Sequence, residues 1–218
     1  MRIVALPGVF RPRSDSWMLA EMVQGDVLPG SSVLDLCTGS GVVAVAAALG
    51  GAGEVTAVDV SRRAAHTVRL NAALNGVRVR ALRGDLLGPV AGRRFDLIAA
   101  NPPYLPSAPS AHGRLPDGGP ARAWEGGADG RAFIDRIIAA APGHLRPGGA
   151  LLLIHSSVCE PAATLTRLAE AGLDAEVVAR HHGPPGPLLA ARHPGLAEEE
   201  IVLVRAVHML KPQLSGIR

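Results

Sequence analysis

The stretch that decides the fold reads Val33-Leu34-Asp35-Leu36-Cys37-Thr38-Gly39-Ser40-Gly41. Its first four residues form a short, mainly apolar run that is typical of a buried strand. Two glycines then allow a tight turn, and an alanine- and valine-rich segment from Gly41 to Leu49 predicts a helix. A strand, a glycine turn and a helix in this order indicate a βα unit whose helix N-terminus can face a bound ligand.

Short apolar runs and helical patterns alternate along the rest of the chain. We predict strands at residues 33–36, 55–59, 77–81, 95–100, 150–155, 175–180 and 201–207. We predict helices at residues 41–49, 61–74, 131–141 and 161–171. Strands that alternate with helices in this way predict an α/β fold, with a mostly parallel sheet covered by helices on both faces.

The composition fits one globular domain that spans residues 1–218. Hydrophobic residues make up 48% of the chain and charged residues 19%, which allows a buried core and argues against disorder. The net charge is +3, and the sequence contains no block of like charges, so nucleic-acid binding is not indicated. Cys37 and Cys159 are too few for a disulfide framework or a cysteine-rich zinc site. Because no run of about 18 apolar residues occurs, we expect a cytoplasmic protein without a membrane segment.

Two regions depart from the regular alternation. A proline- and glycine-rich segment runs from Leu105 to Gly130, directly after a predicted strand. A loop of this length in a compact domain is usually functional or mobile, and we predict a substrate loop at residues 105–130. The last residues, 211–218, carry no pattern of a helix or strand, and we expect them to be a disordered tail.

Acidic residues lie at or after the ends of three predicted strands. Asp59 stands 20 residues after Gly39, where a carboxylate can accept hydrogen bonds from ribose hydroxyls. The stretch Gly39-Ser40-Gly41-Val42-Val43-Ala44 also fits the dinucleotide pattern, so these features alone do not separate NAD from S-adenosylmethionine. Asp35 favours S-adenosylmethionine, because its carboxylate suits an ammonium group and would repel a pyrophosphate. Asp85 can accept a hydrogen bond from an adenine amino group or cap a helix.

The tetrapeptide Asn101-Pro102-Pro103-Tyr104 directly follows the fourth predicted strand. An amide or aromatic amino nitrogen is a poor nucleophile, because its lone pair is delocalised. The Asn101 side-chain oxygen and the Pro102 carbonyl can each accept one N–H, which would fix such a nitrogen and aim its lone pair at a methyl group. The prolines stiffen the peptide, and Tyr104 can stack on the planar group. A strand simply stopped by two prolines is the alternative interpretation.

Taken together, these motifs resemble the HemK/PrmC family of class I methyltransferases. The stretch Phe10-Arg11-Pro12-Arg13-Ser14-Asp15-Ser16 looks like the family's N-terminal motif, and Trp124-Glu125-Gly126-Gly127-Ala128-Asp129-Gly130-Arg131 looks like its Gly-Gly-x-x-Gly segment. The resemblance implies a Rossmann-like fold with a seven-stranded sheet, S-adenosylmethionine as the cofactor and S-adenosylhomocysteine as the product. It also implies that residues 1–30 close over the cofactor or substrate.

The predicted site has a catalytic part and a cofactor-binding part, and no metal. We predict that the catalytic residues are Asn101, Pro102, Pro103 and Tyr104. We predict cofactor contacts at Asp15, Ser16, Asp35, Thr38, Gly39, Gly41, Asp59, Val60, Asp85, Leu86 and Asn101.

The resemblance also implies a substrate. Known members of the family methylate the side-chain amide of glutamine in the Gly-Gly-Gln loop of translation release factors, so we expect a protein substrate with an exposed glutamine loop. Only 32 residues precede the first predicted strand, fewer than the helical N-terminal domain of the bacterial enzymes needs. The chain therefore resembles the short branch related to the eukaryotic and archaeal enzymes, which work with a small zinc-binding activator protein.

Three other functions stay open at this point. A small-molecule or peptide N-methyltransferase would account for the long loop after Tyr104. A nucleic-acid amino methyltransferase uses the same tetrapeptide, but it needs a basic surface and a base-flipping site. The net charge of only +3 and the aromatic content of 3% argue against both. An NAD-binding module without methyltransferase activity is the last alternative.

Overall fold

The computed structural model describes residues 1–108, 113–116 and 118–209, so the predicted tail at 211–218 lies outside the described residues. The helices are α1 (Ser14–Asp26), α2 (Val42–Leu49), α3 (Arg62–Leu74), α4 (Ala132–His144), α5 (Pro161–Glu170) and α6 (Pro187–Arg192). The strands are β1 (Ser32–Leu36), β2 (Glu54–Asp59), β3 (Arg80–Arg83), β4 (Phe95–Ala100), β5 (Leu145–Ser156), β6 (Leu173–Gly183) and β7 (Glu199–His208).

Within the described residues, seven strands form one sheet in the order β3-β2-β1-β4-β5-β7-β6. The first five strands of the chain pair in parallel, and β7 is antiparallel to both of its neighbours. The strand order reverses between β1 and β4, and in open sheets of this kind ligands bind beyond the carboxyl ends of the strands at such a reversal. The predicted α/β fold with a seven-stranded, mostly parallel sheet is confirmed.

The hydrophobic core lies on both faces of the sheet, because successive side chains of a strand point to opposite faces. Val33 and its neighbours on one face pack with α1, α2 and α3, where Leu19 and Val68 are fully buried. Leu34 and its neighbours on the other face pack with α4 and α5, where Ile137 is fully buried. This double covering explains why the central strands are apolar throughout.

Two predicted elements are displaced. The third strand was predicted at residues 77–81 but runs from Arg80 to Arg83, because the Val77 N–H still bonds to the Ala72 carbonyl at the end of α3. The fifth strand was predicted at residues 150–155 but runs from Leu145 to Ser156. The proline–glycine stretch at residues 146–149 forms a bulge inside β5, whose pairing with β4 shifts register between Phe95 and Leu97.

The structure also contains two helices that the sequence pattern did not predict. The buried face of α1 begins with two polar residues, Asp15 and Ser16, so the sequence lacks the regular spacing of apolar residues that predicts a helix. The short helix α6 lies within a proline- and glycine-rich segment and begins at Pro187, which suits a first turn because that position needs no N–H. No helix within the described residues is long and apolar enough to span a membrane.

Candidate functional site

A cleft of about 1100 Å³ opens over the carboxyl ends of β1, β2 and β4. Its walls come from the N-terminal segment (residues 8–16), the glycine loop (residues 37–41) and the tetrapeptide. Parts of the proline- and glycine-rich segments at residues 105–130 and 182–195 complete them. All of the predicted site residues except one line this cleft. The exception is Gly41, at which a Cβ atom would lie 2.9 Å from a methyl group of Val68. With a φ of +81°, Gly41 therefore lets the loop turn and pack closely on α3, and it does not reach the cleft wall.

Asp35, in β1, holds the glycine loop against the sheet. Its carboxylate accepts a hydrogen bond from the Thr38 hydroxyl at 2.5 Å and another from the Ala44 N–H, in the first turn of α2, at 3.1 Å. Burial raises the pKa of Asp35 to about 7, because desolvation outweighs these two hydrogen bonds. Asp35 thus lines the cleft with a carboxyl group whose charge changes near neutral pH.

Asp59 joins the glycine loop to the end of β2. One carboxylate oxygen accepts the Gly39 N–H at 2.9 Å and the other accepts the Ser61 N–H at 2.8 Å. Burial raises the pKa of this group, although these backbone hydrogen bonds oppose the shift. The next residue, Val60, also lines the cleft. Asp59 therefore presents a preoriented carboxylate at the place where the sequence predicted ribose contacts.

The third predicted acid lies at the outer rim of the cleft. Asp85 forms an ion pair with Arg136 of α4, and both side chains are about half exposed. The Arg136 guanidinium also lies over the Phe133 ring, 5.8 Å from its centre. Leu86 takes a φ of +42°, which turns the chain into the following short 3-10 helix, and that helix has no side-chain cap. Asp85 is therefore not a helix cap in this structure.

The N-terminal helix brings two predicted residues to the tetrapeptide. The Asn101 amide donates to the Asp15 carboxylate at 3.0 Å and to the Ser16 hydroxyl at 3.3 Å, and the Tyr104 hydroxyl donates to the same Asp15 oxygen at 3.0 Å. Asp15 and Ser16 are both buried. Because the Asn101 NH2 group is engaged on this side, the side-chain oxygen is the end of the amide left to accept a hydrogen bond.

The back of the tetrapeptide is packed tightly against the segment before α4. The Cys159 thiol donates to the Tyr104 carbonyl at 3.0 Å, and a Cβ atom at Gly130 would clash with the same carbonyl oxygen. Burial raises the pKa of Cys159 to about 12, so its thiol acts as a hydrogen-bond donor and not as a nucleophile. Burial likewise lowers the pKa of His155 to about 4, and this histidine is part of the interior and does not line the cleft.

The predicted substrate loop is anchored at both of its ends. Leu105 is joined to the far part of the loop by two backbone hydrogen bonds: its N–H donates to the Trp124 carbonyl and its carbonyl accepts the Gly126 N–H, both at 2.8 Å. Arg192 of α6 pairs with Glu125 and donates to the Pro106 carbonyl at 2.5 Å. Sequence reasoning missed this pair, because its partners stand 67 residues apart in two proline- and glycine-rich segments that carry no regular apolar pattern.

The Arg192–Glu125 pair is less exposed than the ion pairs at the surface. Its side chains are only 14% and 12% exposed, whereas Arg180 in the pair with Glu200 is 49% exposed. Exposed pairs contribute little to stability, but breaking a buried pair leaves an uncompensated charge. This pair therefore joins α6 to the predicted substrate loop and holds the wall of the cleft on that side.

Comparison with known proteins agrees with this architecture. Residues 1–111 match the model of the family described as "Methyltransferase small domain". The structure is similar to the Mtq2–Trm112 complex of E. cuniculi, with a TM-score of 0.66 and 22% identity over 92% of this chain and 98% of the other. That complex is described as methylating the translation termination factor eRF1. At this level of identity, the similarity supports the fold alone.

Sequence relatives identify the family more closely. The chain is 33% identical, over 80% of its length and 85% of the relative's, to a Methanocaldococcus jannaschii chain provisionally named a protein N5-glutamine methyltransferase. It is 42% identical over 77% of its length to a release factor glutamine methyltransferase of Bordetella pertussis, of which it spans 63%. The chain therefore belongs to the HemK/PrmC family of class I methyltransferases.

Proposed function

We propose that this chain transfers a methyl group from S-adenosylmethionine to the side-chain amide nitrogen of a glutamine in a protein substrate, a release factor being the first candidate. The observation that carries the proposal is the hydrogen-bonded arrangement of Asn101. Asp15 and Ser16 hold its NH2 group at 3.0 and 3.3 Å, which leaves its oxygen for an N–H of the acceptor. An NAD-binding module has no evident need for such an arrangement.

The cleft suits S-adenosylmethionine, which supplies an electrophilic methyl group when it is bound. Asp59 would hold the ribose hydroxyls, because its carboxylate already accepts two backbone N–H groups beside the glycine loop. Asp35 would face the ammonium group, and the rim formed by Asp85 and Leu86 would face the adenine. A volume of about 1100 Å³ exceeds what one nucleoside needs, since single ligand sites measure roughly 300–1,000 Å³.

The acceptor amide would be held by the tetrapeptide. The Asn101 side-chain oxygen and the Pro102 carbonyl would each accept one of its two N–H groups, so that the nitrogen lone pair is aimed and less delocalised. Positioning of this kind can contribute up to roughly 7–11 kcal/mol. Tyr104 is not a base, because burial and the charge of Asp15 raise its pKa well above the ordinary value. The methylated amide is acidic enough to release its extra proton to water.

The shape of the cleft supports a protein substrate over a small molecule. Leu115 and Leu188 line it and are each 39% exposed, so that its wall continues onto the protein surface. Trp124 lines it as well. A small metabolite would call for a closed pocket, whereas an extended loop of another protein can lie in an open groove. The open wall of the cleft therefore favours a protein substrate.

The test is methyl transfer from labelled S-adenosylmethionine to a purified release factor of the same source, with the modified residue mapped by mass spectrometry. We expect one methyl group on the glutamine of the Gly-Gly-Gln loop. Label that appears only after a small activator protein is added would assign a partner to this chain. Label found only in the metabolite fraction of a cell extract would contradict the proposal and favour the small-molecule alternative.

Asn101→Ala and Asp59→Ala should separate catalysis from cofactor binding. Asn101→Ala removes an acceptor contact, so we expect kcat to fall by about 100-fold or more while the affinity for S-adenosylhomocysteine stays within about threefold. Asp59→Ala removes the predicted ribose ligand, so we expect that affinity to fall by about tenfold or more. Calorimetry and steady-state kinetics measure both effects, and the reverse pattern would show that the two roles are exchanged.

Cofactor affinity should increase with pH across neutrality. Burial raises the pKa of Asp35 to about 7, so the group is mostly protonated at pH 6 and mostly ionised at pH 8. An ammonium group prefers the ionised form, and binding of S-adenosylhomocysteine should therefore strengthen by about tenfold between these pH values. Calorimetry on Asp35→Asn is the control. An equally steep dependence in that variant would show that another group is responsible.

The Arg192–Glu125 pair should matter for the acceptor and not for the cofactor. Arg192→Ala leaves a buried carboxylate without its partner, so we expect KM for the protein substrate to rise by about tenfold with KM for S-adenosylmethionine unchanged. Adding Glu125→Leu to this variant should restore much of the loss. The matched control is Arg180→Ala, which breaks the more exposed pair with Glu200. An equal effect of both single variants on KM would contradict the assignment.

A further inference from the structure

The first residues of the chain are bound by side chains of α3 in the way that a neighbouring strand would bind them. Asn75 accepts the Arg2 N–H and donates to the Arg2 carbonyl, both at 2.7 Å. Asn71 accepts the Val4 N–H at 3.0 Å and donates to the Val4 carbonyl at 2.8 Å. We call residues Arg2–Phe10 the strap. Each asparagine thus satisfies both backbone groups of one strap residue.

The spacing of these contacts follows from helix and strand geometry. Asn71 and Asn75 are one turn apart, so they are separated by roughly 6 Å along α3. Arg2 and Val4 are two residues apart in an extended chain, which also spans roughly 6.5 Å. The two repeats match, and the strap runs antiparallel to the helix. Farther along, the Arg63 guanidinium donates to the Pro7 carbonyl at 3.3 Å.

Asn71 has a third contact that Asn75 lacks. Its NH2 group also donates to the Ser40 carbonyl, in the middle of the glycine loop, at 2.8 Å. Asn71 is completely buried. The orientation of its amide is fixed, because the Val4 N–H requires an acceptor while the Val4 and Ser40 carbonyls require donors. One buried amide therefore holds both the strap and the glycine loop.

The strap leads to the reaction centre. Phe10 approaches the glycine loop, and its Cβ lies 3.9 Å from where a Cβ of Gly39 would be. A few residues later, Asp15 contacts Asn101 and Tyr104. A change in the position of the strap would consequently alter the positions of both the glycine loop and the tetrapeptide.

We propose that Asn71 is a positioning residue that couples the strap to the glycine loop, so that the loop takes its binding conformation only while the strap is bound to α3. The consequence for cofactor affinity rests on the proposed function, but the coupling itself does not. Asn71 does not need to touch the cofactor in this scheme, because it acts through the Ser40 carbonyl.

Hydrogen exchange of the free protein tests the coupling directly. Val4→Pro removes one N–H from the strap at an exposed position and leaves Asn71 and the loop unchanged in sequence. We expect the amides of Thr38, Gly39 and Gly41, all hydrogen bonded in the folded loop, to exchange at least about fivefold faster. The control is Ala5→Pro, since the Ala5 N–H makes no hydrogen bond within the described residues. Faster exchange confined to the strap would overturn the coupling.

Calorimetry with S-adenosylhomocysteine tests the consequence for binding. We expect Asn71→Ala to weaken binding by about tenfold and Asn75→Ala, which touches only the strap and its own helix, by about two- to threefold. If Asn71→Ala does not fold, Val4→Pro replaces it and should weaken binding by at least about threefold. Unchanged affinity in these variants would overturn the inference. If the unaltered chain itself does not bind S-adenosylhomocysteine, the proposed function is wrong, and the hydrogen-exchange experiment alone decides the coupling.

Discussion

The parallel pairing of β1 with β4 places the two functional peptides side by side. Leu36 pairs with Ala100 at the carboxyl ends of these strands. The residues that follow, Cys37 and Asn101, therefore leave the sheet at adjacent points, although 64 residues separate them in the chain. The strand order reverses at this pair, and in open sheets of this kind ligands bind at such a reversal. The cleft, the glycine loop and the tetrapeptide all depend on this register.

Buried polar contacts then fix what the sheet brings together. Asp35 and Asp59 hold the glycine loop through side-chain and backbone donors, and Asp15 holds Asn101 and Tyr104. A buried carboxylate is costly unless it is hydrogen bonded, so each of these groups specifies one conformation of its neighbours. The three acids belong to α1, β1 and β2, and they join segments that the apolar core alone would leave free to move relative to one another.

Much of this architecture could be predicted from the sequence, because it depends on local patterns. The strand that precedes Cys37, the glycine turn and the tetrapeptide are continuous motifs, and their order along the chain specifies the fold class. The helix α1 could not be predicted, since its buried face opens with Asp15 and Ser16 and resembles a polar loop. The contacts of Arg192 and Asn71 join distant segments, and no local pattern encodes them.

Gly41 illustrates a different limit of sequence reasoning. A glycine in a nucleotide-type loop predicts close approach of a ligand, but close approach of any other group requires glycine equally well. Here the group is Val68 of α3. The residue type was therefore informative about space and backbone conformation, and only the three-dimensional arrangement identifies which neighbour occupies that space.

The environment of Cys37 has a consequence for self-protection. A thiolate is the strongest nucleophile among protein side chains, and this cysteine lines a cleft proposed to hold an electrophilic methyl donor. Burial, together with the negative charges of Asp59, Asp35 and Asp85, raises the pKa of Cys37 well above its ordinary value. The thiol therefore stays protonated at neutral pH. Burial is the larger cause of this shift, and the carboxylates that would bind the donor add to it, so the thiol beside the donor is kept in its less nucleophilic form.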